Sequence, residues 1–135
     1  MKNCKFLICV LVIFLLVGCS RNVTTFHYDY NQAIKTVGKI EIFEHYEELD
    51  VYRFVAEIEQ EEINNFLYDL STIEFTRKSF SIFHIYEGLY LDGVYIRIYH
   101  SDGKIEEINS NYYSGESSVS CSREEFDCLI DKYLE

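Results

Sequence analysis

Proline and tryptophan are absent from the 135 residues, methionine occurs once and glycine six times. Without proline there is no polyproline ligand and no proline-rich linker. Cations are scarce as well. Twelve Lys and Arg stand against 23 Asp and Glu, a net charge of −11. Nucleic acid is excluded as a partner, because phosphate binding runs on Lys and Arg. Electrostatic adsorption to anionic lipid is disfavoured for the same reason. Catalytic and metal-binding signatures are also missing. There is no Gly-rich phosphate loop, no Gly-x-Ser-x-Gly, no His-Glu-x-x-His, no paired zinc-type cysteines and no calcium loop. His27, His45, His84 and His100 are too scattered for ligand spacing. His45, in Glu44-His45-Tyr46-Glu47-Glu48, has acidic neighbours but reads as a solvated turn. Neither a metal nor a cofactor is expected. Tyr and Phe are plentiful, 12 and 10 residues, which is too aromatic for a disordered acidic chain. The length suits one domain.

The N-terminus has the form of an export signal. Lys2 and Lys5 precede an apolar run from Phe6 to Val17, twelve residues long. A membrane-spanning helix takes about 20, so the run fits the hydrophobic part of a signal peptide. It closes in Leu16-Val17-Gly18-Cys19. These four residues resemble the lipobox of bacterial lipoprotein precursors. The resemblance implies cleavage after Gly18, a diacylglycerol on the Cys19 sulfur, and a mature chain anchored in the cell membrane on the extracytoplasmic side. Two acyl chains hold far more firmly than one, at about 0.8 kcal/mol per buried methylene. Ser20 after the cysteine resembles the outer-membrane sorting class, should the cell have two membranes. The Ile, Asn, Lys and Tyr bias is similar to that of small uncharacterised lipoproteins of low-GC bacteria.

Residues 19–34 have no clear periodicity and read as the lipidated cysteine and a tether, in which His27-Tyr28-Asp29-Tyr30 alone could dock. One domain follows, 35–135. Val37 to Phe43 alternates as a half-buried strand, and Val51 to Ile58 reads as its hairpin partner. Glu59, Glu61 and Glu62 then open a helix with an apolar stripe of Ile63, Phe66, Leu67 and Leu70. Strand is expected over Ile73 to Leu91, with a break at Glu87-Gly88. Asp92-Gly93 signals a two-residue hairpin turn leading into Val94 to His100. After a turn at Ser101-Asp102-Gly103-Lys104 the chain returns to Asn109. There a bulge is expected at Glu106-Glu107, because Ile105 and Ile108 cannot share a face at period two. Asn109 to Ser118 reads as a polar loop. Ser122 and Glu125 form a capping box for a last helix, whose stripe is Phe126, Leu129, Ile130, Tyr133 and Leu134. The fold class is α+β: a mostly antiparallel sheet, made of an N-terminal hairpin and a three-strand meander, with two helices packed on one face.

If Asp92-Gly93 closes its hairpin, Tyr86 lies beside Tyr99 and Tyr90 beside Tyr95, with Arg97 among them, all away from the helices. Such a face is a candidate binding surface for an envelope protein or glycan, since Tyr and Arg are enriched at interaction hot spots. A solvated face and one covered by the tether are the alternatives. Cys121 and Cys128 form a candidate disulfide in an exported chain. Against the bridge, seven residues along a helix span about 10 Å. The function expected is a non-enzymatic binding or accessory module. The rivals are an envelope hydrolase with an unrecognised site and a structural or inhibitor protein working through a sheet edge.

Overall fold

The computed structural model describes residues 23–46, 51–78, 93–114, 116 and 118–135. The chain folds as β1 (Val23–His27), α1 (Tyr30–Thr36), β2 (Val37–Tyr46), β3 (Val51–Glu57), α2 (Ile63–Thr72), β4 (Glu74–Lys78), β5 (Gly93–His100), β6 (Ile105–Asn109), β7 (Tyr112–Tyr113), β8 (Val119–Ser120) and α3 (Arg123–Leu134). The strands form two antiparallel sheets, one of five strands in the order β3-β2-β5-β6-β7 and one of three in the order β1-β4-β8. The α+β class is as expected. The expected single sheet with two helices is replaced by two sheets and, among the described residues, three helices.

Alternation sends Ile40, Ile42, Ile96, Ile98 and Ile108 to the inner face of the larger sheet, where all five are fully buried. Burying one such side chain contributes about 1.5–3 kcal/mol. They meet Ile63, Phe66, Leu67 and Leu70 of α2, and Phe126, Leu129 and Ile130 of α3, in one core. These are the two stripes read from the sequence, apart from Tyr133 and Leu134 at the rim. The α3 cap forms as expected, with Ser122 Oγ accepting from the Glu125 N–H at 3.3 Å. In α2 the glutamates stop short. Glu59 to Glu62 make a separate turn, and the helix begins at Ile63. Asp69 ties the two helices together, accepting from Lys132 Nζ and from the Tyr133 hydroxyl, each at 2.6 Å.

The smaller sheet closes the core from another side through Phe75 and Val119. Tyr113, on β7 of the larger sheet, sets its ring edge against Phe26 at 5.3 Å and Phe75 at 5.2 Å, so that aromatic packing joins the sheets. Tyr113 therefore belongs to the packed body and not to a polar loop.

Three expectations are corrected. First, the segment read as a tether is part of the fold from Val23 onward. Its Thr and Phe residues pair with β4, Val23 opposite Lys78 and His27 opposite Glu74. Asp29 caps α1 by accepting from the Gln32 N–H at 3.1 Å, and Tyr28 is buried. Second, the strand partner expected for β5 across Asp92-Gly93 is not found along Ile96 to Tyr99. There both edges of β5 are taken, by β2 and by β6, whereas the expected partner was residues 85–91. Those residues lie outside the described ones. Gly93 does adopt the left-handed φ of +92° that glycine favours. Third, β6 has no bulge. Its register against β5 is regular, Ile96 opposite Ile108 and Tyr99 opposite Ile105. Ile105 therefore points outward, 53 % exposed, and Glu106 points into the body, 6 % exposed.

The Cys121–Cys128 bridge is not formed. Both thiols are free, Cys121 before the Ser122 cap and half-buried against the core, Cys128 exposed on α3. Burial, with Glu125 and Asp127 nearby, pushes the Cys121 thiol up to about 12. A maleimide at neutral pH is expected to label Cys128 and leave Cys121 nearly unreacted, since the thiolate is the nucleophile. Equal labelling, read by peptide mass, would contradict this placement.

Candidate functional site

The face of the larger sheet turned away from the core carries the residues singled out on β5. Tyr95, Arg97 and Tyr99 alternate outward between the buried Ile96 and Ile98. Tyr86 and Tyr90 lie outside the described residues. On one edge of β5 lies β2, with β3 beyond it, and the sequence reading did not assign either strand to this face. Phe43 pairs with Tyr95, and Glu41 with Arg97. On the other side of β2, Phe43 pairs with Phe54 and His45 with Tyr52. A register shift after Ile42 leaves Val55 unmatched, so that Phe54 and Tyr52 share the outward parity.

A cluster of aromatic rings across β3, β2 and β5 results. Tyr95 stacks on Phe43 with centroids 5.2 Å apart and planes 13° from parallel. Tyr52 sets its edge to Tyr95 at 5.6 Å, Phe54 sets its edge to Phe43 at 5.8 Å, and His45 stacks on Tyr52 at 4.5 Å. Tyr95 is closed, 1 % exposed, and Phe43 is half-buried. The rings on β3 are open, with Tyr52 46 % and Phe54 51 % exposed. Tyr95 is thus a foundation, not a contact residue. Burial is what raises its hydroxyl above the usual tyrosine range.

Charge frames the rings. The Arg97 guanidinium lies 4.8 Å from the Phe43 ring centre and donates to Glu107 Oε1 at 2.7 and 2.9 Å. Tyr99 donates to Glu41 Oε2 at 2.6 Å, and Lys39 pairs with Glu41 at 2.6 Å. Burial would raise the Glu41 carboxyl, but the bonds from Lys39 and Tyr99 outweigh it and hold the group below its ordinary value. The polar side chains here are committed to one another, while the rings of Tyr52 and Phe54 stand open.

A second cluster, inside the body, was missed by the sequence reading. Glu106 accepts from the Tyr28 hydroxyl at 2.9 Å, from His100 Nε2 at 2.8 Å and from Lys104 Nζ at 2.8 Å. His100 Nδ1 lies 2.9 Å from Thr36 Oγ1. Because Nε2 faces a carboxylate it carries the proton, so in the neutral ring Nδ1 accepts from the Thr36 hydroxyl. Burial, then Glu106, pushes the Tyr28 hydroxyl well above the tyrosine range, so it stays a donor. The cluster joins α1, β5 and β6 with the segment after β1. One signal in the sequence pointed to it: strict alternation continued through β6 places Glu106 on the His100 face.

Among the described residues no helix is long and apolar enough to cross a membrane, and no group of three or more His, Cys, Asp or Glu could hold a metal ion. Compared with family models, with curated proteins and with solved structures, the chain matches none.

Proposed function

We propose that the chain is a lipid-anchored, extracytoplasmic binding or accessory module without enzymatic activity. Its contact surface is the outer face of the five-stranded sheet, and its ligand is an envelope protein or glycan. The observation that carries this reading is the pair of open rings, Tyr52 and Phe54, set edge-on against the stacked rings of Phe43 and Tyr95. Rigid aromatic side chains lose little conformational entropy on binding and anchor interfaces. The anchor rests on Leu16-Val17-Gly18-Cys19.

Two experiments test the two halves separately. Cys19→Ala should abolish cleavage and acylation, read as an intact mass that keeps the signal and lacks the acyl chains. Normal maturation of that variant would remove the lipoprotein reading. Tyr52→Ser with Phe54→Ser should leave the melting temperature nearly unchanged, since both rings are half-exposed. Binding to isolated envelope glycan or to a cross-linked envelope protein should fall by tenfold or more, because a contact anchor is typically worth about 2 kcal/mol. Unchanged binding would place the contact surface elsewhere. Tyr95→Ser is not a clean test, because that ring is closed under its neighbours.

One observation favours the rival hydrolase. Thr36, His100 and Glu106 stand in the order of a nucleophile, a base and an orienting acid, with links of 2.9 and 2.8 Å. The Thr36 hydroxyl also sits 3.4 Å from the Gln32 carbonyl and 3.5 Å from that of Ala33, the position of a residue closing a helix. We favour the structural role. Ester hydrolysis abolished by Thr36→Val would overturn that choice.

A further inference from the structure

We propose that the anchor holds the domain against the phospholipid headgroups by one defined end, the edge of the three-stranded sheet that carries Val23, Lys78 and Ser118. The inference rests on the acylation of Cys19. Only Ser20, Arg21 and Asn22 separate Cys19 from the first residue of β1. Four extended Cα steps reach at most about 14 Å at 3.3–3.6 Å each. A domain of this size has a radius of gyration of about 13 Å. The tether is therefore shorter than the body is wide. It cannot pass around the body, so the side bearing Val23 faces the bilayer.

The strand register defines what lies on that side. Val23 pairs with Lys78, and the Lys78 N–H donates to the Ser118 carbonyl at 3.0 Å, so the three residues form a row across the sheet. Val23 is 53 % exposed, and Thr24 and Lys78 are exposed beside it. The nearby carboxylate, Glu116, is held by Arg77 through bonds of 2.8 and 3.2 Å. The opposite end of β4 is four residues away, about 13 Å along a strand. There Ile73 joins Asp69, Thr72, Glu125, Cys128, Leu129 and Lys132 around a shallow groove between α2 and α3. Helix α3 carries Glu124, Glu125, Asp127 and Asp131 against Arg123 and Lys132. The acidic end thus points away from the membrane. A chain too acidic to adsorb by charge is kept at the surface by its covalent tether, with its carboxylates turned outward.

The test uses the full acylated protein, its lipid verified by intact mass, in vesicles of phosphatidylglycerol and phosphatidylcholine that carry nitroxide-labelled headgroups. A fluorophore is placed on the native Cys128 or, with Cys128→Ser, on Thr24→Cys. Quenching at position 24 should exceed that at position 128 several-fold. Inserting about ten Gly and Ser residues after Ser20 adds roughly 17 Å of flexible reach and should abolish the difference. Equal quenching at the two positions in the unlengthened protein overturns the orientation, with the anchor intact. A difference that survives the insertion overturns the tether as its cause. Absence of acyl mass overturns the lipoprotein reading and this inference together.

Discussion

Glu106→Ala is expected to destabilise the domain by about 3 kcal/mol, because it strands three donors that now converge on one carboxylate. Tyr28 and His100 are buried with it, and removing one member of a buried ionic network typically costs about 3–5 kcal/mol. Lys104 is 58 % exposed at its side chain and regains water, which places the expectation at the lower end of that range. Glu106→Gln should also destabilise, though less. Its amide offers one acceptor oxygen and turns an NH2 toward donors. The same group sets an acid limb. Burial would raise the Glu106 carboxyl, but the bonds from Lys104, His100 and Tyr28 outweigh it and hold the folded-state value below the ordinary one. A depressed folded value means the contribution is fully present above the unfolded pKa of about 4.3. It is lost as pH falls through that value and on through the lower folded one. Denaturant midpoints measured from pH 7 down to pH 3 should therefore fall more steeply for the native chain than for Glu106→Gln. Parallel curves would mean that Glu106 is not ionised in the folded body.

Phe126→Ala should cost about 3–5 kcal/mol, the usual range for deleting a buried aromatic ring. Phe126 is 1 % exposed, in the first turn of α3, and it joins that helix to the common core. The loss is a large share of the 5–15 kcal/mol that holds a small domain together. A melting temperature lowered by less than a few degrees would show that α3 is held instead by its rim, through the Asp69 bonds to Lys132 and Tyr133.

The parts of this fold legible in the sequence are those that short-range periodicity controls. The stripe Ile63, Phe66, Leu67, Leu70, the alternation Ile96, Ile98 and the Ser122 cap each follow from spacing within a single element. All are found where spacing puts them. The β2–β3 hairpin was legible for a similar reason, since two β-rich runs flank a short polar turn. The candidate face was half legible. Alternation correctly sent Tyr95, Arg97 and Tyr99 to one side, but which strands lie beside them is a question of pairing between distant segments. Asp92-Gly93 suggested a local partner, and the structure brings Phe43 of β2 alongside Tyr95, a pairing between residues 52 positions apart. The open rings Tyr52 and Phe54 therefore went unnoticed as part of the site.

What the sequence determined by itself is the acidic balance and the helical stripes, with the export signal and the acylation motif as expectations, because each depends on composition or on residues a few positions apart. What only the tertiary structure decided is the burial of Glu106, the inclusion of Val23 to Thr36 in the body, the separation of the strands into two sheets and the closure of Tyr95. Local pattern counted Glu106 as an error to be absorbed by a bulge, since a lone carboxylate in an apolar core is prohibitively costly. Its partners Tyr28 and His100 come from segments that pair with different neighbours, and only their convergence makes the buried charge tolerable. The same convergence draws β1 into the fold and leaves three residues between Cys19 and the packed domain.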